Sequence, residues 1–137
     1  MGQSYPFHPT TVLVVEEDED RRCLVGTLFE ESGFEVVECE NAEEALAQMQ
    51  DRGEEMALVY TDVTLPGRID GVELANTVHD ELPDVLVIVT CGAGDDRVKQ
   101  IPDNAVFMQK PWRALDLLIA AERVRARLDA PQSHKLM

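Results

Sequence analysis

TVLVVEEDEDRR, Thr11–Arg22, sets four apolar residues against five consecutive carboxylates and then two arginines. Val12–Val15 is apolar at every position instead of every second one, which reads as a strand buried on both faces. Strands of that kind belong to parallel sheets with helices on either side. The acids cannot follow the strand into a core, so it must end where they begin. From about Asp18 a helix follows, with Leu24, Val25, Leu28 and Phe29 on one stripe and Gly33 as its C-terminal cap.

The same alternation continues along the chain. Phe34–Cys39 is a second strand, less apolar and so nearer a sheet edge. Asn41, with Glu44 three residues on, starts a helix that turns Ala45, Leu46 and Met49 inward. Ala57–Asp62 is a third strand, again ending on an acid, and a loop with Pro66 and Gly67 leads to Asp70, the cap of a third helix. Val85–Thr90 is the most apolar strand and must be central, while Gly94–Gln100 leaves room for at most two helical turns. Ala105–Lys110 is a fifth strand, broken by Pro111. A last helix runs from about Arg113 to Leu128, with Leu117, Leu118, Ala121, Val124 and Leu128 inward. Five such units imply a parallel sheet covered on both faces, with ligands bound beyond the carboxyl ends of its strands.

Composition limits the rest. The 137 residues suit one domain, and the net charge of −15 disfavours nucleic acid and anionic membranes as partners. Arg113, Arg123, Arg125 and Arg127 gather near the C-terminus as a solvated helix face. No apolar run approaches the ~18 residues that span a bilayer, and no signal pattern opens the chain, so cytoplasmic residence is expected. Cys23, Cys39 and Cys91 read as reduced thiols in or near the core, and His8, His79 and His134 are too scattered to form a metal site. The acidic surface argues for a monomer or at most a weak dimer.

Polar residues collect at the strand ends: Glu16 and Glu17 after the first strand, Asp62 after the third, Thr90 after the fourth and Lys110 after the fifth. Three carboxylates in one crevice need a counter-charge, and Mg²⁺ suits such hard oxygen donors. Acids stand where a glycine-rich phosphate loop would follow the first strand, which disfavours direct binding of a nucleotide.

LVVEED, YTDVTLPGRIDGVEL, VIVTCGAG and FMQKPW, in that order, resemble the receiver domain of two-component response regulators, of the stand-alone CheY-like kind. The resemblance spans about Thr11 to Leu128. It divides the chain into an extension (1–10), a receiver domain (11–128) and a tail (129–137). The implied fold is a flavodoxin-like doubly wound (βα)5 three-layer sandwich with strand order 2-1-3-4-5 and a short or degenerate fourth helix.

The resemblance also implies roles. Asp62 would accept a phosphoryl group from a histidine kinase or histidine phosphotransfer protein. Glu16, Glu17, Asp62 and the Thr64 carbonyl would hold Mg²⁺. Thr90, Lys110 and the amides of Val63 and Cys91 would contact the phosphoryl group, with Thr90 and Phe107 as the switch and a cis peptide before Pro111. Such a protein catalyses its own phosphorylation without being a turnover enzyme. With no room for an output domain after Leu128, it would signal through protein contacts.

The chain departs from the family pattern in four places. Glu17 stands where the family has its metal-binding Asp, and the loop after Asp62 is one residue longer. The region of the fourth helix is shortened, and Phe107 lacks the hydroxyl of a Tyr. Glu17 therefore opens an alternative, a pseudo-receiver that binds partners but is poorly phosphorylated. A Mg²⁺-dependent phosphatase with Asp62 as nucleophile is a further alternative, weakened because Thr64 stands where such enzymes carry a second Asp.

Overall fold

The structure, a computed structural model, describes residues 9–129. The acids end the first strand as expected: β1 (Thr11–Val15) is buried at every position, and α1 (Glu19–Glu31) begins three residues beyond Glu16. Asp18 caps α1 by accepting the Arg21 amide at 2.9 Å, and Glu19 and Asp20 fill its first turn, where negative charge opposes the helix dipole favourably. There follow β2 (Glu35–Cys39), α2 (Ala42–Arg52), β3 (Met56–Asp62), α3 (Gly71–Glu81), β4 (Leu86–Cys91), β5 (Val106–Gln109) and α4 (Ala114–Asp129).

All strand pairs are parallel, in the order β2-β1-β3-β4-β5. Alternate residues of each inner strand serve opposite cores. Leu13, Val15 and Val59 pack with Ala45, Met49, Leu74 and Val78 of α2 and α3. Val12, Val14 and Leu58 pack with Val25, Phe29, Leu117 and Ala121 of α1 and α4. The double-sided strands imply a parallel sheet covered on both faces, and this is the flavodoxin-like three-layer sandwich that the resemblance implies.

Some details differ from the sequence reading. Leu24 does not join the inward stripe of α1; its side chain is 53% exposed, while Val25, Leu28 and Phe29 are buried. Glu44 does not close a box onto Asn41. Its carboxylate accepts the Glu40 amide at 2.8 Å, while Asn41 accepts the Glu44 amide. Cys23 is exposed; Cys39 and Cys91 are buried. Between β4 and β5 the chain makes only a 3-10 turn, Asp96–Gln100. Met108 of β5 packs in the core shared with α4, whereas Phe107, on the other face, has no helix over it and is 40% exposed. Phe107 is therefore not a core aromatic. The extension 1–10 and tail 129–137 lie outside the described residues except for Pro9, Thr10 and Asp129, and so do His8 and His134.

Candidate functional site

Asp62 is the last residue of β3 and is buried. Its two oxygens have separate partners. Oδ1 accepts the Thr64 amide at 3.1 Å, and Oδ2 is ion-paired with Lys110 Nζ. Lys110 follows β5 directly, and its amide donates to the Cys91 carbonyl at 2.9 Å. The Lys110–Pro111 peptide is cis. Gly71, the first residue of α3, lies against the Asp62 backbone: a Cβ there would stand 1.9 Å from the Asp62 carbonyl oxygen. Its amide donates to the Val63 carbonyl at 2.8 Å, and Asp70 and Glu73 close a capping box around that helix start.

Thr90 sits beside Asp62 in the parallel register of β3 and β4. Its hydroxyl is buried and has no hydrogen-bond partner; the Tyr60 phenol is near it without the geometry of a bond. A buried hydroxyl without a partner costs free energy, roughly 1–3 kcal/mol, unless something else supplies the acceptor. Burial pushes the Tyr60 phenol and the Cys91 thiol up from their ordinary values, so both are neutral beside the acid.

The amide of Val63, expected to contact a phosphoryl oxygen, instead donates to the Thr90 carbonyl at 2.9 Å, because the β3–β4 ladder runs one residue past Asp62. The amide that meets the Asp62 carboxylate is that of Thr64, a residue the sequence pointed to only for its carbonyl. The Thr64 side chain is tied down as well. Its hydroxyl accepts from Arg97 at 2.8 Å, and Asp95 holds Arg97 through bonds of 3.1 and 2.8 Å. Arg97 in return holds the Asp95 carboxyl down at about 2, through its side chain and its amide.

The acids after β1 divide differently from the expectation. Glu16 is 2% exposed and accepts the Asp18 amide at 2.9 Å; Arg21 Nε and Nη2 reach its two oxygens at 3.3 and 3.2 Å. Glu17 is exposed, and Arg22 binds the carbonyls of Glu16 and Glu17 at 2.9 and 3.3 Å. Glu17 therefore does not join Glu16 and Asp62 in a single cluster. Among the described residues no three His, Cys, Asp or Glu side chains are grouped to hold a metal ion. Beside this end of the sheet lies a cavity of about 320 Å³, lined by Glu16, Arg21, Tyr60, Lys110 and Trp112 among others. Trp112 packs edge-on to Tyr60, with ring centroids 6.2 Å apart. Arg21 escaped the sequence reading; its signal was an arginine in the first helical turn, five residues after the acid.

Residues 12–122 match the family described as the response regulator receiver domain. The nitrogen assimilation regulatory protein NtrX of Azorhizobium caulinodans is 32% identical over 82% of this chain, which spans 25% of that protein. The response regulator receiver protein CpdR of Brucella abortus is 27% identical over 82% of this chain and 94% of its own. Among solved structures, the receiver domain of NtrX from Brucella abortus superposes with a TM-score of 0.71 at 30% identity, covering 82% of this chain and 96% of that one. A receiver domain protein from Clostridium thermocellum gives a TM-score of 0.77 over 93% of this chain and 99% of that one; at 24% identity this bears on the fold alone.

Domains of this family are generally Mg²⁺-dependent. The donor types here are the hard oxygens such an ion takes. In the arrangement here they do not converge on one ion: each oxygen of the two buried carboxylates accepts from a cation or an amide, and the third carboxylate is exposed. No described helix is long and apolar enough to cross a membrane.

Proposed function

Since the chain belongs to the response regulator receiver domain family, we propose that Asp62 accepts a phosphoryl group from a phosphohistidine on a histidine kinase or histidine phosphotransfer protein. An Asp62 oxygen attacks phosphorus as the phosphorus–nitrogen bond breaks. The bonding pair returns to the imidazole nitrogen, which takes up a proton. Lys110 masks the charge of the nucleophile and then pairs with the phosphoryl oxygens, so positioning and electrostatics carry the step.

The observation that carries this reading is the buried Thr90 hydroxyl beside Asp62 and without a partner. An acyl phosphate on Asp62 adds about −1.5 to −2 of charge and offers that hydroxyl an acceptor. Thr90 then moves toward it, and Phe107, exposed on β5, moves inward behind Thr90. The altered face signals through protein contacts, and the chain serves as its own phosphorylation catalyst instead of turning over a substrate.

The test is incubation with acetyl phosphate and Mg²⁺, followed by mass spectrometry. One adduct of about 80 Da, the mass of HPO₃, is expected on the wild type and absent from Asp62→Asn. No adduct from either acetyl phosphate or a cognate kinase would overturn the reading in favour of a pseudo-receiver. That second reading draws support from exposed Glu17 and from the Arg21 guanidinium on Glu16.

A further inference from the structure

The chain's own cation stands where the family's general chemistry calls for a foreign one. Glu16 is 2% exposed, and a buried carboxylate without a counter-charge is costly enough that proteins pair it or leave it protonated. Arg21 meets both its oxygens from the first turn of α1, at 3.2 and 3.3 Å, and the Asp18 amide adds a third donor. The pairing holds the Arg21 guanidinium firmly charged, raised above its ordinary value chiefly by the bond to Glu16. Asp18 is a more distant partner of the same guanidinium, at 4.0 Å.

We propose that Arg21 is the resident counter-charge of the acidic end of β1, and that a divalent cation reaches Glu16 only by displacing it. A forked guanidinium on a carboxylate is among the stronger charge-assisted pairs. Arg21 is 57% exposed, so its side chain has open solvent to swing into. Arg21 is thus a positioning residue. It fixes Glu16 in the resting protein and sets the concentration of divalent ion at which the site converts to a metal-held state. The inference concerns only the binding of the ion, and so does not require Asp62 to accept a phosphoryl group.

The test uses Mg²⁺ alone and the fluorescence of Trp112, the one tryptophan of the chain, which lines the cavity with Glu16, Arg21 and Lys110. Arg21→Gln removes the charge and the fork, and its Mg²⁺ dissociation constant should fall at least about tenfold below that of the wild type. Arg21→Lys keeps a point charge without the fork and should fall between the two. Thermal unfolding of the same proteins should show Mg²⁺ raising Tm more in Arg21→Gln than in the wild type, by linkage.

An Arg21→Gln chain that binds Mg²⁺ no more tightly than the wild type overturns the proposal. If Arg21→Gln is unfolded without Mg²⁺ but recovered by it, the counter-charge role is supported. If it stays unfolded, Arg21→Lys decides, and an affinity equal to or weaker than wild type overturns the proposal. The two readings fail separately. An Asp62 that never takes a phosphoryl group sinks the receiver function and leaves Arg21 standing, whereas unchanged Mg²⁺ affinity does the reverse.

Discussion

The carboxylates near the ends of β1 and β3 are both buried and both paired with a cation, yet their partners come from different distances along the chain. Glu16 is met by Arg21, five residues on; Asp62 is met by Lys110, 48 residues on. The first pair forms when one strand and one helical turn form. The second exists only when β3, β4 and β5 lie side by side. A local pair of this kind neutralises a charge cheaply and holds no information about the rest of the fold. The long-range pair reports that the sheet is closed, so chemistry at Asp62 is coupled to the packing of three strands. The difference is why one end can act as a resting lock and the other as a reporter.

The strongest way to break the comparison is to strike the Asp62 end through its backbone. Gly71 carries no unusual φ; it is glycine because α3 starts against the Asp62 carbonyl, leaving 1.9 Å where a Cβ would go. Gly71→Ala should therefore displace either α3 or the end of β3, both of them backbone. Overpacking of that kind costs about 3 kcal/mol or more. Urea unfolding should show the loss in midpoint, and adduct formation at Asp62 should fall with it. A protein as stable as wild type would mean the β3–α3 corner yields freely and does not fix the acceptor.

What the sequence made legible follows from the same contrast. The strand-end rule needs only residue type and chain order, so Asp62, Thr90 and Lys110 were visible before any coordinates. The five strands and the short stretch between β4 and β5 were legible from apolar runs, whereas the strand order came with the family resemblance. Arg21 was not, because a charged residue in a first helical turn reads equally well as a solvated face. The Arg97–Thr64 bond was hidden for another reason: it joins two loops whose approach depends on where the β4–β5 connection runs. The ladder bond from the Val63 amide to the Thr90 carbonyl was hidden as well, because it depends on how far the β3–β4 pairing runs. Leu24 shows the limit of the helical stripe: four apolar positions were present, and three were buried.

A smaller perturbation sharpens the comparison at the level of one side chain. Lys110 is 34% exposed, and Asp62 is its one ion-pair partner among the described residues, so Lys110→Ala should leave the sheet intact. Its loss removes the ammonium paired with Asp62, which the proposed function places on the phosphoryl oxygens. Losing a donor of that type slows chemistry by about 10²-fold, and adduct formation from acetyl phosphate should slow accordingly. Arg21→Gln, measured beside it, should act on Mg²⁺ binding. If both variants slow phosphorylation equally at saturating Mg²⁺, the division between a lock and a reporter is wrong.

The smallest expected effect lies on the opposite rim, where Asp95 holds Arg97 and Arg97 holds Thr64. The Asp95 carboxyl is held at about 2, down from its ordinary 3.8, first by the Arg97 side chain and then by the Arg97 amide. A carboxyl depressed by folding contributes stability that is complete above its unfolded value and disappears as pH falls through its folded one. The contribution should thus be present above pH 3.8 and lost on acidification toward about pH 2. The group is partly exposed, so solvent screening keeps the effect small. Comparing Tm for wild type and Asp95→Asn across that window measures it. The two curves should lie slightly apart at neutral pH and converge at the acid end, and a gap that stays constant would mean that Asp95 acts by shape and not by charge.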